Sequence, residues 1–359
     1  MLFDGLFKPA AIAANWTEAA SNRIPYLGEG LFPARKQRGL DLSWIKGSTG
    51  LPISLMPSAF DAKATFRDRI GVSKIETEMP FFREGFMIKE RDRQDLLRVQ
   101  SANDPYAAAV IANVFDDANQ LIEGALVASE RMRMQLLFPV GGNVGITIQA
   151  NGMDYTYDYD AAVNGVRPWK STNYFALTGT ALWSADSTAD PFTDIQTAQN
   201  AVRAKTGAEL AYAIMNSVTF NNLMKVAAIK NRYITKNGLA IGYLTSREVQ
   251  ATVQDVTGVS IVVYDKQYKN ESGVAAKFVP DGYVALVPAG AIGQTNYGTT
   301  PEEADLIGGN KAEVSIVNTG IAVTQVVEPH PVNVSIFASE IVLPSYEQMD
   351  SVAVLKVLA

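Results

Sequence analysis

The chain has no cysteine in its 359 residues. That excludes disulfides, thiolate nucleophiles, iron–sulfur clusters and thiolate zinc sites. Its one histidine, His330, stands between two prolines, so no pair of histidines within a chain can hold a metal. Most hydrolase and metalloenzyme layouts fail on this inventory. Long apolar runs are missing as well. The best, VALVPAGAIG from Val284, falls well short of the roughly 18 residues a spanning helix needs, and no transmembrane segment is expected. The opening MLFDGLFKPAAIAANW has no basic region and carries Asp4 early, so it does not match a secretory signal, and synthesis in the cytosol follows. A basic excess is also absent: 31 Lys and Arg stand against 37 Asp and Glu, for a net charge of -6. This argues against a specific DNA reader while allowing a protein that faces DNA without gripping it.

The composition that remains, 47% hydrophobic and 19% charged, supports a folded protein. At roughly 150 residues per domain the length fits two domains, or one with a large insertion. Residues 1–42 are punctuated by Pro9, Pro25, Gly28, Gly30, Pro33 and Gly39. No sustained period follows the Ala-rich stretch near 10–20, which predicts an extended arm with one short helix. Such an arm must satisfy its backbone polar groups on its own domain or on a neighbouring subunit.

Between Asp61 and Asp95 eight basic and eight acidic residues alternate with apolar ones. The patterns RIGVSKIE and FMIKERD predict two strands of a long hairpin, with Met79-Pro80 near the reversal. A lone two-stranded ribbon is marginal in water, so the choice lies between a solvated ribbon and an arm that reaches a partner. Asn103-Asp104-Pro105 marks a helix start. The apolar period from Tyr106 to Leu136, with Asp116 and Asp117 early and Arg131 and Arg133 late, predicts a helix of about 50 Å at 1.5 Å per residue. Pro139 and Gly141-Gly142 end it.

Downstream, GNVGITIQANGMDYTYDYD predicts a hairpin about Asn151-Gly152. Asp190-Pro191 opens a helix that Gly207 closes. A buried strand over 212–215 leads to a helix from Ser217 or Thr219. A further helix is capped by Thr245 or Ser246, with Glu248 in the capping-box position. From Val259 onward the pattern is mostly β. Strands before and after a helical region predict an α+β protein rather than alternating βαβ units.

Candidate sites are few. Asp154, Asp158 and Asp160 share one face of the DYTYDYD strand. They could hold calcium or a sugar, but the loop lacks the EF-hand glycine and terminal glutamate, which favours a solvated strand face. GGNVG and IGGN lack the lysine and strand-to-helix setting of a phosphate loop and are turns. No GxSxG elbow exists, and a catalytic histidine flanked by two prolines would be unusual.

Four stretches, taken together in order and spacing, carry a resemblance. They are RIPYLGEGLFPARKQRGLDLSWIKGSTGLPISLMPSAFDAKATFRDRIGV from Arg23, MPFFREGFMIKERDRQDL from Met79, FVPDGYVALVP from Phe278 and NYGTTPEE from Asn296. Over most of its length the chain resembles the lambda-like major capsid protein E family of tailed bacteriophages, with the HK97-type capsid fold. The resemblance implies an N-terminal arm over 1–45, an extended hairpin called the E-loop over 46–95, and a peripheral domain over 96–210 containing the spine helix 104–138. It implies an axial domain over 211–325 and return strands to the peripheral domain over 326–359. It implies no catalysis and no cofactor, but self-assembly into hexamers and pentamers that enclose double-stranded DNA, in virions assembled in the host cytoplasm.

The implied partners are copies of the chain, a portal protein, a separate scaffolding protein because the chain opens directly with the arm, and a decoration protein. The balanced charges of the 61–95 segment then find a use as salt bridges across subunit boundaries, which set register more than affinity. The residues expected there are Arg67, Arg69, Glu76, Glu78, Arg83, Glu84, Arg91 and Arg93. A weakly acidic shell would also let DNA slide. The alternative of the same fold is an encapsulin-like nanocompartment shell around enzyme cargo. An enzyme built on Asp154–Asp160 and a host-surface adhesin have less support.

Overall fold

The computed structural model describes residues 8–20, 24–46, 73–88, 91, 94, 105–150, 153–237, 244–270, 272–307, 312–329 and 332–359. Its elements in chain order begin with helices α1 (Pro9–Ala20) and α2 (Leu27–Leu31), then strands β1 (Ala34–Lys36), β2 (Asp41–Lys46), β3 (Ser73–Glu78) and β4 (Phe81–Ile88). The long helix α3 (Pro105–Leu137) follows, then β5 (Gly145–Ala150), β6 (Met153–Asp158), α4 (Pro168–Asn173), β7 (Tyr174–Ala176), α5 (Pro191–Thr206) and β8 (Leu210–Met215). Helices α6 (Ser217–Lys225), α7 (Ala227–Asn237) and α8 (Ser246–Thr257) precede β9 (Ser260–Val263), β10 (Gln267–Lys269), β11 (Ala275–Lys277), β12 (Tyr283–Pro288) and β13 (Gln294–Tyr297). Last come α9 (Pro301–Asp305), β14 (Glu313–Val317), β15 (Ile321–Pro329), β16 (Val332–Ser345) and β17 (Ala353–Lys356).

The chain forms two compact units. Unit 1 comprises 1–43, 76–132 and 294–345, and unit 2 comprises 44–75, 133–293 and 346–359. This division cuts across the expected spans. Residues 133–210 pack with 211–293, and the last strand belongs there too. The reason is hydrogen bonding: β17 inserts between β7 and β12 to give the order β7-β17-β12-β8-β9.

In unit 1 the sheet runs β1-β13-β16-β15-β14, and β4 also pairs with β16. β16 is long enough to hold β4 along one edge and both β15 and β13, end to end, along the other. Its apolar face carries Ile88, Val323, Val334, Ile336 and Ala338, packed with Ile12 and Trp16 of α1 and with Val114, Ala118 and Ile122 of α3. The i, i+4, i+8 spacing of those three α3 residues puts them on one face of the helix. The described part of the N-terminal segment is therefore anchored on its own unit. Ile12 is fully buried, and β1 adds to the sheet parallel to β13.

The expected hairpin between the 69–76 and 86–92 patterns does not form. β3 pairs with β2, while β4 pairs antiparallel with β16, Phe81 opposite Ile341 through Ile88 opposite Val334. Burial decides this. Phe86 and Ile88 join the core only on β16, whereas a ribbon with β3 would leave them in water. The FMIKERD strand also ends at Ile88, and Arg91 has helical backbone.

In unit 2, α5, α8 and their neighbours cover one face of the five-stranded sheet. The core there includes Trp183, Ile195, Val202, Phe220, Leu223, Val249, Val253, Val284, Leu286 and Leu355. Helix ends follow local chemistry. Asp190 caps α5 ahead of Pro191. Thr245 and Glu248 form a complete capping box on α8. Gly207 and Gly258 take left-handed conformations just past α5 and α8, where a Cβ would be strained.

Candidate assembly surface

β4 lies along the edge of β16, and alternate residues point to opposite faces of the sheet. Phe82, Glu84, Phe86 and Ile88 share the face of α1 and α3, and Arg83, Gly85 and Met87 occupy the other. On that second face the Arg83 guanidinium meets the Glu302 carboxylate and lies 4.9 Å from the Phe81 ring centroid. Glu302 is 5% exposed, and its other oxygen accepts from the Ser339 hydroxyl at 2.9 Å. A buried carboxylate needs such donors to remain tolerable.

Glu302 is held there by α9. Thr300 caps that short helix, accepting from the Glu303 N–H, and Pro301 occupies the first helical position. Glu303 in turn pairs with Lys36 of β1. Gly85 is required by its cross-strand neighbourhood: a Cβ built there would stand 2.3 Å from Phe337 Cδ1 and 2.7 Å from the Ile336 carbonyl oxygen. The Phe337 ring thus fills the space that a side chain at 85 would take.

Of the eight charged residues expected at subunit boundaries, Arg67, Arg69 and Arg93 lie outside the described residues, as does the side chain of Glu76. Glu78, Arg83, Glu84 and Arg91 are exposed. Arg83 and Glu84 are neighbours on opposite faces of β4, and Arg83 is engaged within its own chain by Glu302. Glu302 and Glu303 were not singled out as partners of Arg83 and Lys36. The Thr-Pro-Glu-Glu string carries the signal of a helix start, but nothing local says which cations it faces.

The Asp154–Asp160 group is not a ligand cage. Asp154 is bonded by Gln149 and Thr156, and Asp158 by Arg167 at 2.8 Å. Asp160 is buried, accepting from the Trp169 and Lys170 backbone N–H groups at 2.9 and 3.0 Å as the cap of α4. Among the described residues no group of three His, Cys, Asp or Glu could hold a metal. No described helix is long and apolar enough to cross a membrane. His330 lies outside the described residues.

The comparisons agree with this architecture. A prophage protein of Escherichia coli CFT073 assigned as a capsid protein is 13% identical in sequence. It aligns over 98% of this chain and 99% of its own, with a TM-score of 0.60. A phage-related protein from Bordetella bronchiseptica RB50 is also 13% identical, with 96% of each chain covered and a TM-score of 0.55. At such identity these likenesses speak for the fold, which is the HK97-type capsid fold. No curated protein matches by sequence. The family model for the phage major capsid protein E matches residues 8–357. That family is structural, so the role is assembly rather than catalysis, and its place is the virion. The chain belongs to the phage major capsid protein E family and forms the capsid shell by self-association.

Proposed function

We propose that the chain tiles an icosahedral head as hexamers and pentamers around double-stranded DNA, with unit 1 in the peripheral role and unit 2 in the axial role. The observation that supports this most is the β2–β3 ribbon. Two strands pair with each other outside both main sheets and are joined by residues 47–72. We assign the E-loop to the excursion between Asp41 and Glu78 in place of 46–95. It carries Arg67, Arg69, Glu76 and Glu78 toward the neighbouring subunit, with Arg83, Glu84, Arg91 and Arg93 at its base as the register-setting charges.

A ring-closing, heterologous contact suits a shell. At about 800 Å² per partner and about 25 cal/mol/Å², such a contact gives on the order of 20 kcal/mol gross. Association and ordering costs remove much of that, which keeps early assembly correctable. A separate scaffolding protein, a portal protein and a decoration protein are the further partners, and assembly takes place in the host cytoplasm. An encapsulin-like shell around enzyme cargo has no observation in its favour.

The test is size-exclusion chromatography with electron microscopy on the chain expressed alone and with its neighbouring genes, beside a variant in which a short Gly-Ser linker replaces residues 47–72. Wild type is expected to form capsomer rings or closed shells, and the linker variant to stay folded but dispersed. Closed shells from the linker variant would refute the E-loop assignment. Wild type that stays monomeric with every partner would refute shell formation.

A further inference from the structure

The net charge of -6 conceals a locally positive corner. Between Glu209 and Glu248 the chain carries five cations, Lys225, Lys230, Arg232, Lys236 and Arg247, and no carboxylate. Lys225 closes α6, the next three lie on α7, and Arg247 opens α8. Side-chain contacts bring these helices together. Ser246 Oγ lies 3.7 Å from Met224 Sδ, which brings the start of α8 to the end of α6. Tyr233 donates to Glu248 at 2.7 Å, which brings α7 against the first turn of α8. Lys225, Arg232, Lys236 and Arg247 are exposed, and Lys230 is half-buried.

Two carboxylates on α8 belong to this corner, and both are engaged. Asp255 pairs with Lys236 at 2.8 Å, and its carboxyl is held below the usual range first by that bond and last, weakly, by Arg232. Glu248 accepts from Tyr233 and from the Thr245 backbone and hydroxyl. Lys225, Lys230 and Arg247 have no ion-pair partner among the described residues. Elsewhere in unit 2 the described side-chain carboxylates are nearly all occupied: Asp158 by Arg167, Glu209 by Arg203, Asp281 by Lys277 and Asp350 by Lys205, with Asp154, Asp160, Asp190, Asp194 and Asp265 in hydrogen bonds. Asp186 and Glu347 stand outside this group, and Asp186 lies near the cations. Its backbone carbonyl accepts from Ala227, so it borders the same corner and offsets one charge.

We infer that the exposed ends of α6, α7 and α8 form a phosphate-contacting surface that takes the backbone of the enclosed nucleic acid. This rests on the reading of the chain as a DNA-enclosing shell. Apart from Asp186 and Glu347 the described carboxylates of unit 2 are already engaged, so that unit in a second copy offers these cations few partners, whereas a phosphodiester backbone offers a dense, flexible row of single charges. Lysine and arginine side chains on long stems suit sequence-independent contact with phosphates. The expectation of a uniformly acidic, non-gripping interior is thereby narrowed: the shell is acidic overall and carries one local point of purchase.

The test uses the full-length chain, dissociated from shells, and a random-sequence DNA duplex, with affinity measured against salt concentration. Each lost phosphate contact lowers the slope of log K against log salt by about 0.9, so K225Q/K230Q/R247Q is expected to lose between about 1.8 and 2.7. A control triple, K170Q/K269Q/K356Q, removes the same charge elsewhere in unit 2 and is expected to keep the wild-type slope. Circular dichroism and thermal melting establish that both variants fold.

An unchanged slope in the first triple would overturn the inference. So would an equal loss in the control, which would reduce the effect to net charge. Failure of the first triple to form capsomers with DNA binding intact would overturn it as well, making the corner a contact between copies. Wild type that shows the expected slopes but never assembles would instead count against the shell reading and leave the phosphate surface standing.

Discussion

Replacing Asp160 by alanine tests how the acidic 154–160 segment is used. Asp160 is 1% exposed, and its two oxygens accept separately from Trp169 N and Lys170 N. The carboxylate is thus a cap and a favourable charge at the start of α4. Loss of a cap costs about 0.5–2 kcal/mol, and a buried donor left without a partner costs about 1–3 kcal/mol. These overlap, so the expected destabilisation of Asp160→Ala is about 2–4 kcal/mol. Asn at this position keeps one acceptor and should lose about half as much. Asp154→Ala, on the exposed strand, should stay within about 0.5 kcal/mol of wild type.

The assay is urea unfolding of dissociated protein, so that assembly does not add its own stabilisation. It is followed by tryptophan fluorescence, since Trp169 is buried beside the cap. Equal midpoints for Asp160→Ala and Asp154→Ala would refute the capping role. A calcium-dependent shift in wild type, lost in both variants, would revive the ligand site.

Gly85→Ala should destabilise unit 1 by about 1–3 kcal/mol, because the new methyl meets Phe337 and the Ile336 carbonyl. Adding Phe337→Ala should relieve only the ring's share of that clash, as a double-mutant denaturation cycle would show. Asp194 has its carboxyl raised, first by burial and then by Asp190, against the Trp183 N–H bond that lowers it. A raised folded value means stability present below the unfolded carboxyl value and lost as pH rises through the folded one. Denaturation midpoints should therefore fall over that window in wild type, and Asp194→Asn should flatten the fall; an unaltered profile in the variant would refute this. Thr245→Ala should cost α8 about 1 kcal/mol through loss of its capping box, visible in thermal melting and absent for Thr245→Ser.

Much of the helical skeleton was legible locally. Asp190-Pro191 with Gly207 bracket α5, and Thr245 with Glu248 opens α8, because caps and left-handed glycines act within one turn. The 3.6-residue period of 105–137 is likewise a property of the segment itself. The short α4 escaped notice because PWKSTN is too brief to show a period. Its stability comes from Asp160, eight or more residues away in the chain.

Strand partnership was a different matter. Alternation marks 69–76 and 86–92 as strands, but any edge of suitable length satisfies it equally, and proximity in sequence favours pairing the two. The tertiary structure chose otherwise, since only β16 lets β4 bury Phe86 and Ile88 against α1 and α3. Arg83 with Glu302 and Lys36 with Glu303 followed from that arrangement, as did the gathering of five cations at the ends of α6, α7 and α8. The sequence by itself determined the long and capped helices, the lack of thiol and paired-histidine chemistry, and the capsid family. Which edges pair, which charges meet and where the C-terminus closes a sheet were decided by long-range burial, a free energy that no short window of residues contains.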